Sequence, residues 1–143
     1  MRLSSLVLVA TLAAGGCAST PPPLAVPTMT SDGVLVTPQG LTLYTYARDV
    51  ADGGVSACLA DCTVKWPPFV AASLGTPPES YSLVRRQDGR AQWAFRGQPL
   101  YTWPEDQEPG DRYGDNYQGV WHIVKPGEPR IVRTPPPADN DGY

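Results

Sequence analysis

Histidine is almost missing from this sequence, with one in 143 residues. That excludes a zinc site built from several histidines. A Ser-His-Asp hydrolase would have to run through His122, and no Gly-x-Ser-x-Gly elbow is present to supply the serine. A lone histidine on a strand is more often a satisfied structural group than a ligand. Lysine and arginine number only 11 against 14 acidic residues, a net charge of −3, and they form no cluster. Without a basic patch interleaved with aromatics, nucleic acid is not an expected partner, and a direct electrostatic hold on acidic lipid is not expected either. Apolar runs are also scarce: neither Leu3 to Ala14 nor any later run is long enough to span a bilayer as a helix. Nor does any long window place apolar residues at helical spacing.

What the sequence has is proline (17), glycine (14), four tryptophans and seven tyrosines. The ends come first. Arg2 and the apolar run Leu3 to Ala14 have the form of a secretory leader, residues 1–16. Leu12-Ala13-Ala14-Gly15-Gly16-Cys17 resembles the bacterial lipobox, in which the cysteine is lipidated and becomes the new N-terminus. By the same resemblance, Ala18 after the cysteine points to the outer membrane, facing the periplasm. Each buried CH2 of an acyl chain contributes about 0.8 kcal/mol, so several chains on Cys17 would hold the protein durably. Residues 17–31, with Pro21-Pro22-Pro23, read as a tether. Residues 134–143, after Pro135-Pro136-Pro137, read as a disordered tail, which leaves one domain over 32–133.

Within that domain short β-prone runs alternate with turn residues. Gly33 to Thr37 and Leu41 to Tyr46 flank Pro38-Gln39-Gly40. Tyr81 to Arg86 and Ala91 to Phe95 flank Gln87-Asp88-Gly89-Arg90, where Asp-Gly is a strong hairpin signal. A strand Gln98 to Trp103 follows Arg96-Gly97, and Gly119 to Lys125 with Arg130 to Arg133 flank Pro126-Gly127. The expected fold is all-β, a small antiparallel meander forming a sandwich or barrel, with one helical turn at Ser56 to Thr63 around the Cys-x3-Cys segment. The four tryptophans read first as core.

The chain also repeats itself. Gly40-Leu41-Thr42-Leu43-Tyr44-Thr45-Tyr46-Ala47-Arg48-Asp49 returns 57 positions later as Gly97-Gln98-Pro99-Leu100-Tyr101-Thr102-Trp103-Pro104-Glu105-Asp106. Two diverged copies are expected, at about 33–68 and 91–125, packed on each other. Asp49 and Asp106 are expected to close the turn after each strand or to accept a hydrogen bond from a neighbouring Tyr or Trp.

Three constellations bear on chemistry. In a secreted protein Cys58 and Cys62 are expected to form a disulfide, contributing about 2 kcal/mol for so short a loop. The alternative is copper or thiol redox chemistry through Cys58, Cys62 and His122. That trio resembles the ligand set of copper-delivery proteins of the respiratory chain, although those have a thioredoxin-like fold and this chain lacks its alternating strands and helices. The run Asp106, Glu108, Asp111 and Asp115 is a weak calcium candidate, because aspartates in such turns commonly cap their own backbone.

Taken in order, Tyr44-x4-Asp49, Cys58-x3-Cys62-x3-Trp66-Pro67-Pro68, Gln92-Trp93-Ala94-Phe95-Arg96-Gly97-Gln98-Pro99-Leu100-Tyr101, Pro109-Gly110-Asp111-x-x-Gly114-Asp115 and Val120-Trp121-His122 are similar to the bacterial secreted repeat lipoproteins. That family carries a Tyr-x4-Asp motif, here Tyr44 to Asp49 and Tyr101 to Asp106, and its function is unknown. The resemblance implies envelope placement and a duplicated domain, and supplies no activity, catalytic residue or cofactor. The expected role is a binding or scaffolding module, not an enzyme, with an envelope protein or glycan as partner.

Overall fold

A computed structural model describes residues 24–49 and 55–129. The expected leader, Cys17, the strand expected at Arg130 to Arg133 and the expected tail lie outside the described residues.

Among the described residues there are seven short strands, one helix and one 3-10 turn. Strand β1 (Thr28–Met29) pairs antiparallel with β2 (Leu35–Val36). Strand β3 (Tyr44–Tyr46) pairs with β7 (Trp121–Ile123). Strands β4 (Tyr81–Arg85), β5 (Ala91–Phe95) and β6 (Gln98–Pro99) form a three-stranded meander. Helix α1 spans Asp61–Lys65, and the 3-10 turn spans Tyr117–Gly119. Among the described residues the three sheets do not close into a barrel. None of the described helices is long and apolar enough to cross a membrane.

The hairpins form where the turn chemistry places them. Gly40 and Gly89 adopt φ of +88° and +82°, and their N–H groups return to Thr37 O and Arg86 O at 2.9 and 3.0 Å. Arg96 and Gly97 both take positive φ, the left-handed pair that a two-residue hairpin needs to match strand twist. Four expectations shift. Pairing begins at Thr28, inside the stretch read as tether, because Leu24 and Val26 already pack on the core. The helical turn starts at Asp61 and not at Ser56. Ser56 Oγ bonds both the N–H and the C=O of Cys58, and this local side-chain turn competes with helix. The β5–β6 ladder ends after Pro99: Leu100 N–H still donates to Trp93 O, but Trp93 N–H and Leu100 O both turn to Phe69, whose segment enters between them. The Gly119 to Lys125 run pairs with β3, far back in the chain, so the sheet arrangement is not a simple meander.

Side-chain alternation sorts two cores onto opposite faces of the repeated strand. Tyr44, Tyr101 and Trp103 join Trp66, Val120 and Trp121 in one; Leu43 and Leu100 join Leu35, Trp93 and Phe95 in the other. All four tryptophans are buried.

The duplication appears as a pseudo-two-fold arrangement. At its centre Tyr44 and Tyr101 exchange backbone hydrogen bonds, each N–H to the other's C=O at 2.9 Å. Around that pair the bonds come in matched sets. Leu43 N–H donates to Leu35 O and Leu100 N–H to Trp93 O; Val124 N–H donates to Leu43 O and Phe69 N–H to Leu100 O. The segment after each Tyr-x4-Asp copy therefore pairs with both copies' shared centre, and β7 at the end of the second copy completes the first. Trp66 and Trp121, 55 positions apart, stack on each other with centroids 3.8 Å apart and planes 6° from parallel. Tyr46 stacks on Trp121 at 4.2 Å, and Trp103 lies tilted by 39° against Trp66 at 4.5 Å, extending the row.

Gly114 lies against this row. A β-carbon there would sit 2.7 Å from the Trp66 ring and 3.1 Å from Trp103. Gly114→Ala is therefore expected to destabilise the domain by about 1–3 kcal/mol through overpacking. Urea unfolding reads this directly, and an unchanged midpoint would mean the Trp66 ring yields freely.

Candidate functional site

The repeated Tyr-x4-Asp residues meet across the two copies. Tyr44 donates its hydroxyl proton to Asp106 Oδ2 at 2.5 Å, and Tyr101 donates to Asp49 Oδ2 at 2.7 Å. The other oxygen of each carboxylate accepts a backbone N–H: Asp49 Oδ1 from Ala57 at 2.7 Å and Asp106 Oδ1 from Tyr113 at 2.9 Å. Each aspartate also closes its own turn, with Asp49 N–H donating to Tyr46 O and Asp106 N–H to Trp103 O. Both expected roles are thus filled at once, and each copy's tyrosine grips the other copy's acid. A buried carboxylate with both oxygens engaged is a clamp on the surrounding loops.

The electrostatics of the two clamps differ. Burial pushes the Asp49 carboxyl up to about 6, against the lowering effect of the Ala57 N–H, the Tyr101 hydroxyl and the Arg86 charge. Burial raises Asp106 as well, with Asp111 and Glu105 adding repulsion. Burial also raises both tyrosine hydroxyls, reinforced at each by its aspartate partner. Among the described residues, only the Asp49 side holds a buried cation. Arg86 donates to Gln92 Oε1 at 2.6 Å, Cys58 O at 2.9 Å and Ser56 Oγ at 3.1 Å. Ser56 Oγ lies 2.7 Å from the Tyr101 hydroxyl, which links Arg86 to Asp49 through two oxygens. Gln92 in turn donates to Leu100 O at 2.8 Å. Sequence reasoning missed Arg86, Gln92 and Ser56. An arginine at a strand end beside a turn reads as exposed, and nothing local signals that its head is buried.

The metal candidates are not gathered. Cys58 and Cys62 are joined in a disulfide with α-carbons 5.2 Å apart, so neither thiolate is available to copper in this state. His122 pairs with Thr45 on β7; it is not the satisfied group expected, because its buried Nε2 has no hydrogen-bond partner. Asp111 Oδ2 accepts the N–H groups of Gln107 and Glu108, both at 3.0 Å, and Asp115 Oδ1 accepts that of Ile123 at 3.1 Å. With Asp106 holding Tyr44, the acidic run caps backbone as turn aspartates commonly do. Among the described residues no group of three or more His, Cys, Asp or Glu side chains is placed to hold a metal ion.

Comparison with known proteins agrees with this duplicated geometry. A family model described as a secreted repeat of unknown function matches residues 27–70 and again 82–125. The two matches start 55 residues apart, the spacing of the stacked Trp66 and Trp121, and each begins earlier than the repeat bounds read from sequence because it takes in β1 or β4. No curated protein and no solved structure matches the chain. The chain belongs to the family of secreted repeats of unknown function, of which it carries two copies.

Proposed function

We propose that this protein is a lipid-anchored cell-envelope module, held at a membrane through Cys17, that binds or scaffolds a partner and does not turn over a substrate. The observation that carries the reading is the crossed pair of Tyr–Asp bonds. The acids and hydroxyls best suited to proton transfer are engaged in each other and in backbone N–H groups inside the core, where they hold the fold. The family's description as a secreted repeat supports export. The lipobox-like Leu12 to Cys17, with Ala18 following, supports lipidation and the outer membrane, facing the periplasm. The partner would be an envelope protein or a glycan, met by exposed apolar side chains such as Tyr113 and Val64.

Cys17→Ser tests the anchor in cells. The variant is expected in the soluble fraction while the parent protein stays with membranes; equal membrane retention would overturn the anchor. A photo-crosslinking residue at position 113 tests the second half of the reading. A discrete adduct with one envelope component is expected, and adducts no different from those of an unrelated exported domain would count against binding.

A further inference from the structure

The loop closed by Cys58 and Cys62 is bent against the preference of its own residues. Leu59, Ala60, Asp61 and Cys62 form a tight turn, with Cys62 N–H donating to Leu59 O at 3.1 Å. At the second position Ala60 has φ of +47° and ψ of −122°, the geometry of a type II′ turn, which calls for glycine there. Asn116 and Gln118 also take positive φ, but with ψ of 19° they sit in the left-handed helical region that L residues can enter. Ala60 lies outside that region, and its side chain is exposed, so no burial of the methyl group compensates. Strain of this kind persists only where the surroundings impose it.

What imposes it here is the bridge. Helix α1 follows directly, runs five residues, buries none of them and has no side-chain cap at its start. Cys58, by contrast, is held from within: its N–H meets Ser56 Oγ at 3.2 Å and its C=O accepts Arg86 at 2.9 Å. Cys58 is fully buried, whereas Cys62 is half-buried. One end of the bridge is thus anchored in the core, and the other carries a short helix beside the ring row. Lys65 Nζ, at the end of α1, lies 4.5 Å from the Tyr117 ring centre. Leu59, Ala60 and Thr63 also wall a groove of about 260 Å3 against Gln87 and Asp88.

We propose that the Cys58–Cys62 loop is a redox-sensitive latch, strained at Ala60 and opened by an external dithiol while the rest of the domain stays folded. A thiolate of the dithiol attacks Cys62 Sγ, on the less buried of the two residues. The S–S bond breaks, and Cys58 leaves as a thiolate that takes up a proton. The second thiol of the reductant then closes its own disulfide and releases Cys62. Two electrons and two protons pass from the dithiol to the cysteines. Ala60 relaxes, α1 loses the tie at its first turn, and the groove wall moves with it. The latch requires neither the anchor nor a partner.

The exported Cys17→Ser protein, whose only cysteines are Cys58 and Cys62, is equilibrated at stepped ratios of reduced to oxidised dithiothreitol. Alkylation and intact mass count the free thiols, and amide exchange reads the local structure. On reduction the N–H groups of Cys62, Thr63 and Trp66, which bond Leu59 O, Ala60 O and Cys62 O, are expected to lose protection. Those of Tyr44 and Tyr101, which bond each other's carbonyls, are expected to keep it. Ala60→Gly relieves the strain and is expected to need about a tenfold higher ratio for half reduction. An unstrained bridge gives the opposite sign, because glycine adds freedom to the opened loop. Half reduction of Ala60→Gly at an equal or lower ratio would therefore overturn the latch. Loss of protection at Tyr44 and Tyr101 along with the bridge would overturn it too, and would make the disulfide a staple of the whole domain. A bridge that resists the dithiol until the protein unfolds would count equally against it.

Discussion

Trp121→Ala is expected to cost the domain about 3–5 kcal/mol, the range for deleting a fully buried large aromatic. Trp121 is 3% exposed and touches the ring row on both sides. Trp66 stacks on one face at 3.8 Å and Tyr46 on the other side at 4.2 Å, while Tyr101 meets it edge-on at 5.1 Å. These partners come from both copies, so truncation removes the contact through which the halves pack. Native domains of this size hold only about 5–15 kcal/mol in total, and each kcal/mol shifts the melting temperature by roughly 4–8 °C. A fall of more than 10 °C is the minimum expected from these figures. Tyr113→Ala, on an exposed ring, is the control and is expected to stay within about 0.5 kcal/mol. Chemical unfolding followed by circular dichroism decides; an unchanged midpoint for Trp121→Ala would show that the stack contributes nothing to holding the halves together.

Arg86→Met is expected to cost about 3–5 kcal/mol at neutral pH, because it removes the buried cation that offsets the Asp49 carboxylate across Ser56 and Tyr101, together with its 3.8 Å ion pair to Asp88. Ser56 Oγ, Gln92 Oε1 and Cys58 O also lose the donor that Arg86 supplies. The loss depends on pH in a defined direction. The Asp49 carboxyl sits at about 6 in the fold, above the roughly 3.9 of an unfolded aspartate. Between those values the native state holds the extra proton, so stability falls as pH rises through the window. The penalty for ionised Asp49 is fully present above the folded value and gone below the unfolded one. Removing Arg86 raises the carboxyl further and widens the window upward. The parent protein is therefore expected to gain stability between pH 7 and pH 5, with Asp106 adding in the same direction because burial raises it too. The cost of Arg86→Met is expected to shrink over that interval. Equal losses at both pH values would show that Arg86 supports its oxygen partners alone and is not coupled to Asp49.

Much of the fold was legible locally. Pro38-Gln39-Gly40 and Asp88-Gly89 turn the chain where they stand because glycine takes positive φ without a steric penalty. The alternation of Leu43, Tyr44 and their counterparts Leu100, Tyr101 predicted two faces, and two cores occupy them. The disulfide followed from two cysteines four apart in an exported chain. The candidate site was less legible. Asp49 and Asp106 could be read as turn-closers from their positions, but nothing local says that each would accept its tyrosine from the other copy. Arg86 and Gln98 looked like ordinary polar residues near turns, and their burial comes from segments far away in sequence.

The sequence by itself determined the turns, the strand faces and the duplication, since all of these depend on neighbouring residues or on matching text. Tertiary structure alone decided that β7 completes the first copy, that the Tyr–Asp pairs cross, and that the two copies are unequal in their buried polar groups. The physical reason is distance along the chain. Contacts between residues some 55 positions apart are selected by which surfaces bury together, and residue type does not record that choice. So Trp66 finds Trp121, while Pro67 and His122, equivalent in place, are left to differ in chemistry.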